Sequence, residues 1–415
     1  MGPVEIKKGV YWVGALDWNI RDFHGYSTPK GTTYNAYLII DEKITLFDTV
    51  KKPFKNDLIE SISKIIDPRR IDYLVVNHVE MDHSGSVPEI VELVGPQKVV
   101  CSAMGKKALV DHYGLQNWPY HIVETGQTLK LGKKTVSFLE TRMLHWPDSM
   151  MSYIAEDRLL LSSDGFGQHW ATSQRFDDEV DASELFDHAA KYYANILMLF
   201  SPVVQKVIAK IDELGLDVDM IAPDHGLIWR RDPAGIIKAY QRWSRQECGA
   251  KALVIYDTMW QATERMASAI AEGLKEGGLD FKLLNLKLNH RSDIMTEVLD
   301  SRALVLGSAT INNGMMPAMA DLLSYMKGLR PAGKVGAAFG SYGWSGEAVK
   351  LLSEAMREMN ITLIGEGVRV RYSPKREDLD KCVELGRQVA RAALEAVGPP
   401  AKAATKTSGG GKCAQ

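Results

Sequence analysis

Cysteine is scarce in this chain: four residues in 415, at Cys101, Cys248, Cys382 and Cys413, with no CxxC spacing. That excludes a disulfide framework and any zinc or rubredoxin-type iron site held by cysteine thiolates. An excess of one charge is lacking too. The formal net charge is -2, which gives neither nucleic acid nor an anionic membrane surface an electrostatic handle. No run is read as long and apolar enough to cross a bilayer, and Met1-Gly2-Pro3-Val4-Glu5 lacks the pattern of a signal peptide. No internal repeat is visible. What remains is ordinary globular composition, 25% charged and 45% apolar, in a length that suits two domains. The expectation is a reduced, cytoplasmic protein with no membrane and no nucleic-acid partner.

The grammar changes once along the chain. Up to about residue 140, strand-like runs such as Val10 to Val13, Tyr34 to Ile40 and Ile44 to Phe47 alternate with helical stretches at Asp57 to Ile66 and Val87 to Leu93. Two hairpins follow, turning at Gly132-Lys133-Lys134 and at Glu156-Asp157-Arg158. A helix from Ala182 to Phe200 is expected to stop at Ser201-Pro202 before another begins. This order implies two sheets sandwiched between helices. From Lys251 the chain alternates strand and helix regularly, with strands at Lys251 to Tyr256, Lys282 to Leu286, Ala303 to Gly307, Val335 to Phe339 and Ile361 to Ile364. That is the pattern of a parallel, doubly wound sheet. The domains are expected at 1–249 and 250–398, with a disordered Ala-, Lys-, Ser- and Gly-rich tail at 399–415.

The chemistry concentrates in Asn77-His78-Val79-Glu80-Met81-Asp82-His83-Ser84-Gly85, directly after the apolar run Tyr73 to Val76. Alternation would put His78, Glu80 and Asp82 on one side of an extended loop. Three further strands end in a ligand type: 135–140 before His145, 159–163 before Asp164, and 220–223 before His225. Alone, each is an ordinary turn or capping residue, and His112, His121, His169, His188 and His290 are left in that class. Together, three imidazoles and three carboxylates suit two hard or borderline divalent ions, with one carboxylate able to bridge.

His-x-Glu-x-Asp-His with downstream His, Asp and His resembles the metallo-β-lactamase-like domain of the flavodiiron proteins. Hydrolases of that superfamily read His-x-His-x-Asp-His. Glu80 replaces their second histidine, adding a hard oxygen ligand and shifting preference from zinc toward iron. The resemblance implies a diiron centre in which His78, Glu80 and His145 hold one iron, Asp82 and His225 the other, and Asp164 bridges. His83 is either a ligand to the second iron or swung away. His24, His83 and Tyr193 are candidates for relaying protons near the iron. The implied fold is an N-terminal metallo-β-lactamase-like αββα sandwich plus a C-terminal flavodoxin-like domain.

In the second domain, Thr258-Met259-Trp260-Gln261-Ala262-Thr263 follows the first strand and precedes a helix. It is neither GxGxxG nor a Walker loop, so hydroxyls and helix N-terminal amides could hold a phosphate monoester there. Ser308-Ala309-Thr310-Ile311-Asn312-Asn313-Gly314 and Ser341-Tyr342-Gly343-Trp344-Ser345-Gly346 lie at two more strand ends. Their small residues admit a flat ring, which Tyr342 or Trp344 could cover. All three loops match the flavodoxin pattern for FMN, implying strand order 2-1-3-4-5. The resemblance further implies reduction of O2 to water, or of NO to N2O at the same site, with electrons from rubredoxin or a similar small redox protein supplied separately. It also implies a head-to-tail homodimer or dimer of dimers. A zinc hydrolase with an accessory flavodoxin domain, and a pure electron carrier, are the other classes weighed.

Overall fold

Residues 2–397 are described in the computed structural model, and the tail expected at 399–415 lies outside them. The chain divides into two compact units. One comprises Met1–Glu247 with Leu288–Leu299 and Asp321–Pro331; the other comprises Cys248–Lys287, Asp300–Ala320 and the segment beginning at Ala332.

The first unit is built on two sheets whose strands lie side by side in chain order. Seven strands form one: Val4–Lys7, Val10–Trp12, Tyr37–Ile39, Thr45–Phe47, Tyr73–Val75, Lys98–Cys101 and Tyr120–Ile122. Pairing is antiparallel as far as Thr45–Phe47 and parallel beyond it. Five strands form the other: Thr128–Lys130, Thr135–Glu140, Met150–Ile154, Leu159–Leu161 and Met220–Ala222. The period of two along each strand decides what each face meets. Tyr37, Phe47, Val75 and Val100 point inward, onto Val136, Phe138, Met150 and Leu161 of the second sheet. Their neighbours Leu38, Leu46, Leu74 and Val99 point outward, onto Leu58, Ile62, Ile90 and Leu109. The result is the expected αββα sandwich.

Two readings need correction. The run 34–40 is not one strand. Thr32–Tyr34 pairs with Ala15–Asp17, Tyr37–Ile39 pairs in the large sheet, and Asn35-Ala36 breaks between them. Asn35 spends its amide on the carbonyls of Pro223 (2.7 Å) and Gly226 (3.0 Å), and accepts from the Trp12 indole. Nor does Ser201-Pro202 interrupt the later helix. Helix Ala182–Tyr192 passes through a π-helical turn at Tyr193–Leu197 and a tight turn at Met198–Phe200 into helix Ser201–Glu213. Proline sits in the first turn of that last segment, where its missing N–H costs nothing. The joined stretch Ala182–Glu213 is 32 residues long, and an 18-residue window within it reaches a mean hydropathy of 1.4, long and apolar enough to cross a membrane, which the sequence reading did not anticipate. Its apolar side, including Leu185, Ala189, Tyr192, Val204 and Ile208, is buried in the protein.

The second unit is the expected parallel sheet. Strands Gly249–Asp257, Asp280–Asn285, Ser301–Ser308, Val335–Tyr342 and Thr362–Leu363 lie in the order 2-1-3-4-5. The fifth position is shared: Val368–Arg371, absent from the sequence reading, pairs farther along Val335–Tyr342. Helices Ala262–Glu276 and Arg376–Val397 cover one face, burying Ile270, Leu274, Leu385 and Val389 over Val254 and Val305.

Candidate functional site

In the first unit, strand ends deliver the ligand-type residues to one place. After Tyr73–Val75, the buried Asp48 carboxylate takes the Asn77 backbone and side-chain amides, both at 2.7 Å, and so turns the chain outward. Glu80 then precedes a short helical turn, Met81–Ser84, without its side chain capping it. The stretch is therefore extended only as far as Glu80, and Asp82 and His83 reach the site from a helical turn. Asp164 follows Leu159–Leu161 at a turn closed by Gly165 N donating to Ser162 O (3.0 Å). His225 sits in 223–226, held by Asn35, by the Tyr37 hydroxyl on Pro223 O (2.6 Å), and by Thr33 Oγ1 accepting from Gly226 N (2.6 Å). Gly226 has φ +80°, and a Cβ there would collide with Gln168.

The side chains converge as two groups sharing Asp164. His78, Glu80, His145 and Asp164 form one, and Asp82, His83 and His225 another, with the ligand-type atoms of each within 4.8 Å of one another. Asp164 Oδ2 lies 2.8 Å from His145 Nε2 and 3.5 Å from His78 Nε2. Its Oδ1 lies 3.1 Å from His83 Nε2 and 3.5 Å from His225 Nε2. One carboxylate thus turns one oxygen to each group. Glu80 Oε2 is 3.1 Å from His145 Nε2, and Asp82 Oδ2 is 3.1 Å from His225 Nε2.

These atoms are close yet poorly paired. Both oxygens of Asp82, both ring nitrogens of His83 and Oδ1 of Asp164 are buried without a hydrogen-bond partner. Buried polar atoms are normally satisfied, and orphans converging on a common point fit divalent cations. Burial would raise the Glu80 carboxyl, but His145, His24 and His78 hold it far below the usual carboxylate range. Burial would likewise raise Asp164, but the neighbouring imidazoles, His83 foremost, keep it ionised.

The imidazoles are oriented from behind. His78 Nδ1 is 3.0 Å from Asp148 Oδ2, which also accepts from Val79 N at 2.7 Å. His225 Nδ1 donates to Thr33 O at 2.6 Å. A cavity of about 940 Å³ opens over the cluster, lined among others by Phe23, His24, Tyr26, Trp146, Tyr192 and Ile196.

In the second unit, a cavity of about 610 Å³ is lined by Met259, Trp260 and Ala262, by 309–313 and by 341–345, joined by Tyr372 and Ser373. Gln261 takes φ +63° at the start of helix Ala262–Glu276 and provides no side-chain cap. The first helical amides are therefore left for a ligand. Thr258 Oγ1, four residues before that helix in the chain, is buried and unpartnered. These features fit a phosphate monoester carrying a flat ring.

A family model described as ODP family beta lactamase matches residues 32–226, and one described as Flavodoxin matches 254–386. A nitric oxide reductase of Moorella thermoacetica is 52% identical over 94% of this chain and 98% of its own length. Among solved structures, rubredoxin oxygen:oxidoreductase from Desulfovibrio gigas superposes with TM-score 0.94 at 43% identity, covering 96% of this chain and 100% of that one. The flavodiiron protein from Giardia intestinalis superposes with TM-score 0.92 at 36% identity, covering 96% and 98%. The chain belongs to the flavodiiron proteins.

This flavodiiron protein gathers all six expected metal ligands, and His83 with them. His24 Nε2 reaches Glu80 Oε1 at 3.1 Å. Tyr193 is a correction: its hydroxyl pairs with Ser201 Oγ at 2.9 Å and its ring packs on Tyr240 and Trp243, away from the cluster. The π-helical turn begins there, and the neighbouring Tyr192 lines the cavity instead. Of the residues expected to hold the flavin, Thr263 bonds Ser341 Oγ at 2.9 Å, and Ser308 Oγ accepts from Met316 N at 2.9 Å, so both take part in framework hydrogen bonds. Gly314 belongs to a small ribbon with Thr310–Ile311, and Gly346 lets the Tyr342 ring lie against its backbone. Sequence reasoning missed Asp48, Asp148, Tyr192, Tyr372, Ser373 and His169. Only Asp148, three residues after His145 in His145-Trp146-Pro147-Asp148, carried a local signal.

Proposed function

We propose that the flavodiiron protein holds two iron ions at its paired ligand groups and FMN in the cavity of the second unit, and reduces O2 to water with electrons from a rubredoxin-type donor. It is an oxidoreductase, as its relatives are named. The observation that carries this reading is Asp164, with one oxygen facing His78 and His145 and the other facing His83 and His225. Two ferrous ions and reduced FMN, when bound, supply the four electrons that O2 requires. His78, Glu80 and His145 would hold one iron, and Asp82, His83 and His225 the other. His83 Nε2 stands with Asp82 and Asp164, which favours its role as ligand. His24 holds a proton at Nε2 against Glu80, and its pKa is raised chiefly by that hydrogen bond. It is the better placed of the proton-relay candidates. Phe23, Trp146 and Ile196 make part of the cavity wall apolar, suiting a small diatomic substrate. The functional domain boundary is placed at 249/250, the assembly is a head-to-tail homodimer or dimer of dimers, and the location is cytoplasmic.

Reduction of NO to N2O at the same site is the second reading, favoured by the 52% identity to a nitric oxide reductase. Metal and flavin analysis of anaerobically purified protein is expected to give two irons and one FMN per chain; zinc without flavin would restore the hydrolase. Stopped-flow oxidation of the reduced protein by each gas is expected to be faster with O2. Faster turnover with NO would reverse the order.

A further inference from the structure

We infer that Thr32 and His169 act as a pair that positions His225 and thereby sets how tightly the second metal position holds its ion. The inference rests on the two-iron reading above. The two groups differ in what stands behind their histidines. His78 is backed by the Asp148 carboxylate at 3.0 Å. His225 has no carboxylate on Nδ1; it has Thr33 O at 2.6 Å and Thr32 Oγ1 at 3.3 Å. A carbonyl only accepts, so His225 Nδ1 bears the hydrogen and its Nε2 lone pair is left facing Asp82 and Asp164.

That arrangement has a competitor. The Thr32 hydroxyl lies 3.3 Å from the same Thr33 carbonyl and can donate to it. With its hydrogen on Nε2, His169 removes the competition, because its Nδ1 then accepts from Thr32 Oγ1 at 2.8 Å and draws the hydroxyl hydrogen away. A Thr32 lone pair then faces His225 Nδ1, and Thr33 O is left to His225. The two imidazole rings also touch edge to face, centroids 4.7 Å apart at 63°. His169 is 1% exposed and its Nε2 has no partner. It sits among Phe23, Tyr26 and Tyr192, which line the cavity while His169 stands behind them. A residue buried at the expense of an unsatisfied nitrogen, on the far side of a ligand, fits a positioning role.

The effect is specific to one of the two ions, and this separates it from general damage. Reduced holoprotein is mixed with a ferrous chelator, and iron release is followed by absorbance; wild type is expected to lose two irons per chain in two phases. In Thr32→Val, which keeps the side chain's shape, and in His169→Leu, one phase is expected to accelerate about tenfold while the other is unchanged. Thr32→Ser, which restores the hydroxyl, is expected to release iron as wild type does. The double variant is expected to match the single variants, because the two residues act as a unit. Acceleration of both phases alike in Thr32→Val, of neither, or additive effects in the double variant would overturn the inference. Fewer than two irons in the wild type would instead overturn the two-iron reading on which it rests.

Discussion

At the residue scale, the site combines buried opposite charges with unpaired atoms, so single substitutions have separable outcomes. The Asp148 carboxylate stands behind a proposed metal ligand, against His78 Nδ1 and Val79 N. Asp148→Asn keeps the shape and removes the charge behind His78. Metal affinity at the first position is expected to fall ten- to a hundredfold, read as early loss of one iron during chelator titration. His188 offers a test remote from the cluster. It lies against Trp170, centroids 5.0 Å apart, and burial, with help from Lys30, pushes its imidazole down to about 4. A folded-state value below the unfolded one means that the unfolded chain binds the proton first. Its stabilising contribution is therefore complete above about pH 6.5 and is lost as pH falls from there toward 4. The loss at pH 5 is about 2 kcal/mol at most, and smaller once solvent screening of the partly exposed ring is allowed for. Urea unfolding at pH 7.5 and 5 is expected to show a smaller pH penalty in His188→Gln; an unchanged penalty would refute the assignment.

At the element scale, close backbone approach decides the second unit. Where helices Ala262–Glu276 and Arg376–Val397 cross, a Cβ at Gly273 would lie 1.9 Å from Val383 O, and one at Gly386 would lie 2.2 Å from Ile270 O. Alanine is normally the better helix former by about 1 kcal/mol. Here Gly273→Ala is expected to destabilise by about 2 kcal/mol or more, because the helices must part. Gly328→Ala is the control, in helix Pro317–Leu329 with no atom within 4 Å of the new Cβ. It is expected to stabilise by up to about 1 kcal/mol. Denaturation midpoints moving in the same direction would defeat the argument. The π-helical turn at Tyr193–Leu197 is the matching lesson in the first unit. One wide turn decides that Tyr192 rather than Tyr193 lines the cavity, a shift that no helical periodicity records.

At the scale of the whole molecule, each cofactor stabilises the unit that binds it. A ligand at a hundred times its Kd adds about 2.7 kcal/mol to the state that binds it. Hydrogen exchange on the full chain is expected to show FMN removal deprotecting residues 308–316 and 341–346, and iron removal deprotecting 78–84 and 163–169. Unchanged exchange at 308–316 and 341–346 on FMN removal would contradict the placement of the flavin.

The sequence alone determined the features carried by local pattern. A run of His, Glu, Asp and His after an apolar strand, three more strands each ending in a ligand type, and a regular strand-helix alternation were legible because residues near in sequence are near in space. Glu80 was legible as a departure toward oxygen ligation for the same reason. Tertiary structure alone decided which atoms share a point. Asp164 faces both groups because strands Leu159–Leu161 and Met220–Ala222 pair in parallel and bring 164 and 225 to one end. Asp48, Asp148 and His169 stand behind the proposed ligands because residues far apart in the chain fold onto the same turns. His169 read as an unremarkable turn residue, since nothing local marks a histidine whose partners are Thr32 and His225. A hydrogen-bond network is a property of packing, and its members carry no spacing by which to be found.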